Sequence, residues 1–128
     1  MNPQAQGTVY PEVEFVVDPM RVAAFREVFH QADGVPPTFL TAAEFVAFPS
    51  VLNDPGLSLD FARVLHGSQR YDYVRPLVEG ERLRIRPRIE SIRRKGGNSF
   101  MTVVMEVIGD DDRLVATATS VMVERDPE

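Results

Sequence analysis

Two histidines and no cysteine limit the acid–base and nucleophilic chemistry open to this 128-residue chain. His30 and Asp33 stand three apart at the end of an amphipathic segment, where one helix face can present an imidazole base beside a carboxylate. A histidine near a helix C-terminus is also favoured simply by the helix dipole. His66 precedes Gly67 where a strand begins, so its expected role is a hydrogen bond fixing that turn, with catalysis the weaker alternative. Glu44 is the one charge in an apolar stretch; burial there would raise its pKa and suit it to act as a base or nucleophile. Against that, the Thr41 to Glu44 spacing fits a capping box in which Glu44 reaches back to the Thr41 amide.

The element that must position these groups is Val35 to Phe48, VPPTFLTAAEFVAF. From Phe39 onward it is apolar on almost every side, with Glu44 its one charge, and such a helix belongs inside a larger structure. Pro36 and Pro37 give it an extended approach, Thr38 or Thr41 can cap it, and Pro49 is expected to stop it. Before it, Val9 to Val17 alternates as a strand with Glu12 and Glu14 on its wet face, and Asp18-Pro19 opens a surface helix carrying Val22, Phe25 and Phe29. Gly34 is the expected left-handed end of that helix. Ser50 to Leu65 reads as an irregular crossing, with one short turn around Asp60 to Val64.

From Ser68 onward the chain is strand after strand. Ser68 to Val74 is followed by a turn at Arg75-Pro76 and Gly80. Glu81 to Arg94 sets Leu83, Ile85 and Ile89 opposite Arg82, Arg84, Arg86 and Arg88; a bulge is expected between Ile89 and Ile92, and Pro87 points to a sheet edge or irregularity. Lys95-Gly96-Gly97-Asn98 turns into Ser99 to Ile108, whose apolar residues on both faces imply that both are covered, and Leu114 to Val123 closes the sheet. The periodicity predicts an α+β hot-dog fold, an antiparallel sheet of about five strands wrapped around a central buried helix. Residues 9–125 form its single domain, with a flexible tail at 1–8 and another at 126–128. A flat sheet edge invites pairing, so a dimer sharing a continuous sheet is expected.

Composition narrows the function classes. With 44% hydrophobic residues the chain can bury roughly two-thirds of its unfolded surface in one core. A net charge of -5 argues against broad nucleic-acid binding, and no apolar run approaches the roughly 20 residues of a membrane span. The absence of cysteine and of a signal-peptide pattern in Met1 to Gly7 fits a soluble protein of the reducing cytoplasm. Neither a metal site nor a cofactor is expected. The stripe Arg82, Arg84, Arg86 and Arg88 could meet an acidic carrier protein or the phosphates of coenzyme A, although alternation alone produces such a wet face.

Four segments, GVPPTF (Gly34 to Phe39), HGSQRYDYVRPLVEGERL (His66 to Leu83), RKGGNSFMTVVMEV (Arg94 to Val107) and LVATATSVMV (Leu114 to Val123), resemble MaoC-like hot-dog proteins. The closest likeness is to the N-terminal-type dehydratase modules of fatty-acid synthesis. Its most specific part is aromatic-x-Arg-Pro-Leu-x-x-Gly-acidic-x-Leu, running from Tyr73 through Arg75, Pro76, Leu77, Gly80 and Glu81 to Leu83. The resemblance implies addition or removal of water across the 2,3-bond of an acyl thioester on coenzyme A or an acyl carrier protein. Catalytic members carry Asp-x-Asn-Pro-x-His just before the buried helix, whose N-terminus receives the enolate-like oxygen.

That motif is missing here: between the surface helix and Pro36 stand only Gln31-Ala32-Asp33-Gly34-Val35. The expectation is therefore a non-catalytic acyl-binding and structural subunit of a heteromeric (R)-3-hydroxyacyl-thioester dehydratase, paired with a catalytic hot-dog chain. The alternatives are a thioesterase using Glu44, since hot-dog thioesterases often place a carboxylate on or near this helix, and a homodimeric acyl-thioester binding protein. Thr38, Phe39, Phe45, Phe48, Met101 and Met105 are the expected acyl-lining residues, with plain core as the competing role for the phenylalanines and methionines.

Overall fold

In the computed structural model, which describes residues 1–127, the alternating segments form one five-stranded antiparallel sheet. Its strands are β1 (Val13–Val16), β2 (Val64–Tyr73), β3 (Arg82–Lys95), β4 (Asn98–Ile108) and β5 (Leu114–Arg125), in the spatial order β1-β3-β4-β5-β2. The two helices are α1 (Pro19–Phe29) and α2 (Leu40–Leu52). Leu83, Ile85 and Ile89 of β3, Met101, Val103 and Met105 of β4, and Ala116 and Ala118 of β5 make the buried inner face, and α2 lies across it. This is the hot-dog arrangement expected from the periodicity.

Helix α2 differs from the helix expected in two respects. It buries Leu40, Ala43, Glu44, Ala47, Phe48 and Val51, an i, i+3, i+4 stripe, and leaves Phe45 71% and Val46 46% exposed. Composition shows no wet side, yet the sheet covers only one. Nor does Pro49 stop the helix, which runs on to Leu52. The carbonyl that loses its partner to Pro49 belongs to Phe45, on the open side where water can reach it. Neither Thr38 nor Thr41 caps the helix: a 3-10 turn at Pro37–Phe39 leads into it with no side-chain cap.

Helix α1 starts as expected, with the Asp18 carboxylate accepting from the Met20 amide and Pro19 in the first turn. It ends at His30 rather than Gly34, because His30 itself takes the left-handed conformation at φ 55°. The expected bulge appears as a register shift between Ile89 and Ser91. Pro87 sits inside the sheet without breaking it. Its carbonyl accepts from the Tyr10 amide on the β1 side, so the missing N–H faces that side too and the ladder to β4 is intact. On the outer face of β4, Val104 and Ile108 are buried but Phe100 and Thr102 are half-exposed, so coverage of both faces is only partial. A 3-10 turn at Phe61–Arg63, capped by Asp60, fills the place expected for a short turn.

The first eight residues are not a loose tail. Pro3–Ala5 form a 3-10 turn, Ala5 is buried, and the amides of Asn2 and Gly7 donate to the carbonyls of Leu57 and Ile89. At the other end the Asp126 amide donates to Gly97, while Glu128 lies outside the described residues. The family-like motif between β2 and β3 is a clamp. Arg75 donates from Nη1 and Nη2 to Glu81 at 3.0 and 2.7 Å, and Glu81 also accepts from the Val78 amide at 2.5 Å. Gly80, at φ +83°, turns the chain so that its amide reaches Val17 O at 2.7 Å.

Candidate functional site

Helix α2 packs chiefly on β3 and β1, which leaves a seam between it and β2 at the far edge of the sheet. The inner-facing residues of β2 reach across that seam. Tyr73 donates to the carbonyl of Pro37, and Tyr71 donates to Glu44 Oε1 at 2.5 Å. Since the Tyr71 proton is committed there, the Thr41 hydroxyl, 2.6 Å from the Tyr71 oxygen, is the donor to it. Glu44 Oε2 lies 3.0 Å from the Ser120 hydroxyl of β5, which also contacts Gln69 Oε1. Glu44 is thus bound to two strands and not to the Thr41 amide, so the capping-box role is replaced.

Glu44 is 2% exposed and no cation pairs with it among the described residues. Burial pushes its carboxyl above the ordinary carboxylate range, against the opposing hydrogen bonds from Tyr71, Ser120 and Gln69 and the charge of His66. Burial and the carboxylate beside it also raise the Tyr71 hydroxyl, and Tyr73 is pushed up to about 12, by burial first and Glu44 second. The contacts at Ser120 agree with a proton on Glu44. One hydroxyl hydrogen cannot serve both Glu44 and Gln69, whereas a protonated Glu44 can donate to Ser120 and free its hydrogen for Gln69.

Two cavities open along the seam. One, of about 250 Å³, lies at the approach to α2 between Val35, Pro37, Tyr73, Arg75 and Leu77. The other, of about 320 Å³, has apolar walls of Phe45, Phe48, Leu52 and Met122 and a polar floor of Glu44, Tyr71 and Gln69, with Thr41 and His66 also lining it. His66 faces inward opposite Met122 in the strand register; among the described residues its ring makes no hydrogen bond, and the turn it was expected to fix is instead a register shift at Gly67.

The expected residues divide accordingly. Phe45, Phe48, Glu44 and His66 come together around the larger cavity. Phe39, Met101 and Met105 line neither cavity and are core, with Phe39 edge-on to Phe25 at 5.4 Å. Thr38 is exposed at the approach to α2. His30 and Asp33 are exposed in the connection from α1. Of the arginine stripe, Arg84 pairs with Asp112 and Glu12, Arg86 with Glu12, and Arg88 with Glu106, so most of its charge is already met by neighbouring carboxylates. Sequence reasoning missed Tyr71, Gln69 and Ser120. One signal was available, because Ser120 is the lone polar residue in the inward series Ala116, Ala118, Ser120, Met122.

Among the described residues no group of three or more His, Asp or Glu side chains is arranged to hold a metal ion, and no helix is long and apolar enough to cross a membrane.

Comparison with known proteins agrees with this architecture. A UPF0336 protein of Streptomyces griseus is 36% identical over 105 residues, covering 82% of this chain and 70% of that protein. A UPF0336 protein of Streptomyces avermitilis is 42% identical over 93 residues, covering 73% and 62%. The chain therefore spans about two-thirds of the length of the curated relatives it matches. Among solved structures, a C-terminally truncated HadBC (3R-hydroxyacyl-ACP dehydratase) complex from Mycobacterium tuberculosis superposes with a TM-score of 0.74 at 21% identity, covering 93% of this chain and 96% of that one. An (R)-hydratase from A. caviae involved in PHA biosynthesis gives 0.66 at 13%, covering 95% and 96%. These likenesses establish the hot-dog fold of the MaoC-like proteins. Residues 7–118 match the family model described as FAS1-like, dehydratase domain region, and the chain belongs to that family.

Proposed function

We propose that this chain is the non-catalytic, acyl-binding and structural subunit of a heteromeric (R)-3-hydroxyacyl-thioester dehydratase, working on thioesters of coenzyme A or an acyl carrier protein in the cytoplasm. The observation that carries this reading is the approach to α2. Hydro-lyase chemistry needs a base and a water-holding group at the helix N-terminus, where backbone amides can receive the enolate-like oxygen. Here that position is occupied by Val35, Pro36 and Pro37, while His30 and Asp33 are exposed and line neither cavity. The dehydratase complex among the structural neighbours supports a paired arrangement, as do the exposed Phe45 and the edge position of β2. The catalytic acid and base then belong to a second hot-dog chain carrying Asp-x-Asn-Pro-x-His, with the acyl chain running along the α2–β2 seam.

The test is coexpression with such a chain from the same genome, followed by native mass spectrometry and hydration assays on a 2-enoyl thioester. A one-to-one complex that turns over, beside an inert single chain, is the expected result. Turnover by the chain alone that disappears on His30→Ala or Asp33→Asn would overturn it.

Glu44 supports a second reading, a thioesterase, because a buried carboxylate facing a cavity suits a base or nucleophile. Thioester hydrolysis that survives Glu44→Gln would rule this out.

A further inference from the structure

The larger cavity has a feature that plain acyl binding does not require. Its walls are apolar, yet its floor is a carboxyl group held in place by two strands. Glu44 Oε1 has two lone pairs and Tyr71 engages one of them, so an acceptor position remains on that oxygen. Among the described residues no lysine or arginine lines the cavity, and the Glu44 carboxyl on its floor disfavours a phosphate or carboxylate there. A methylene chain lying over Glu44 would offer that position no hydrogen bond.

The two cavities lie in sequence. Tyr73 borders the one at the approach to α2 and Tyr71 the one at Glu44, their ring centroids 6.4 Å apart. Glu44 is four residues into α2, about 6 Å along its axis at about 1.5 Å per residue. A chain whose thioester sat at the start of α2 would pass Glu44 part-way along its length.

Building on the acyl-binding reading, we propose that the cavity above Glu44 selects acyl chains carrying a hydroxyl group part-way along the chain, with Glu44 accepting the hydroxyl's hydrogen bond. A site built to pair with a hydroxyl discriminates against the analogue lacking it, because its own buried polar group is then left without a partner. The raised Glu44 carboxyl favours a neutral hydroxyl over a cationic amine as that partner.

The experiment is calorimetric titration of the full chain with dodecanoyl-CoA, with the dodecanoyl-CoA series bearing one hydroxyl at each carbon from the fourth to the tenth, and with an amino analogue. One hydroxyl position should bind about tenfold more tightly than the plain chain. Glu44→Leu should bind the preferred hydroxylated chain no more tightly than it binds dodecanoyl-CoA. The wild-type series is decisive even if this variant fails to fold. If dodecanoyl-CoA binds and no hydroxylated chain is preferred, or if the amino analogue binds best, the hydroxyl site is wrong and acyl binding stands. If no thioester binds, the acyl-binding reading itself fails.

Discussion

Tyr71 and Glu44, 27 residues apart in sequence, meet at 2.5 Å across the seam between the edge strand and the helix. The contact ties β2 to an α2 that packs mainly on the opposite half of the sheet. It also explains how a carboxyl group persists in an apolar helix. Unpaired burial of a charge is costly, and here the carboxyl is hydrogen-bonded by two hydroxyls instead of being neutralised by a cation.

That arrangement sets a pH dependence. Burial raises the folded-state pKa of Glu44 above the ordinary carboxylate value of 4.5. The folded protein therefore holds this proton more tightly than the unfolded chain does. The stabilisation is fully present below the unfolded pKa and is lost as pH rises through the folded one. Glu44→Gln, which stays neutral, should gain stability relative to wild type as pH rises above that value. Paired urea melts at several pH values would check this; a constant difference would show that Glu44 is ionised alike in both states.

The β2–β3 clamp gives a second expectation. Glu81 accepts three hydrogen bonds, two from Arg75 and one from the Val78 amide. Since the Arg75 side chain is 39% exposed, the ionic part is screened. Glu81→Gln should lower stability by about 1 kcal/mol, measured by chemical denaturation, with most of the loss coming from the backbone contact and the bidentate geometry.

Gly80 isolates backbone from packing. Its φ of +83° is unfavourable for any L side chain, while an added Cβ would meet nothing within 4 Å. Gly80→Ala should therefore cost about 1 kcal/mol in thermal or urea unfolding with no change in acyl binding. A loss several times larger would mean that the turn itself rearranges.

How far the sequence could be read follows from the range of the forces involved. The strands, the bulge after Ile89 and the Asp18 cap depend on neighbours close in sequence and were legible in alternation and capping. The length of α2 was not, because whether Pro49 ends a helix depends on whether water can serve the Phe45 carbonyl, a tertiary matter. The exposed side of α2 was hidden for the same reason: Phe45 and Ala43 are both apolar, and only the placement of the sheet separates them. At the site, Glu44 stood out as a lone charge, but its partners Tyr71 and Ser120 arrive from strands 27 and 76 positions later. The capping box was a local answer to a contact that is long-range.

The exposed side of α2 supplies the last prediction. Phe45 is 71% exposed beside the sheet edge formed by β2, where the proposed partner chain would cover it. Its replacement removes little that the isolated chain uses, so Phe45→Ser should change monomer stability by no more than about 0.5 kcal/mol. If a second hot-dog chain pairs along β2, the same change should weaken the complex about tenfold, because a buried aromatic anchor is among the strongest contributors to an interface. Sedimentation of the mixed chains would separate the outcomes. Unchanged stability with unchanged assembly would remove α2 from the interface, whereas lost stability would mean that Phe45 belongs to the core of this chain despite its exposure.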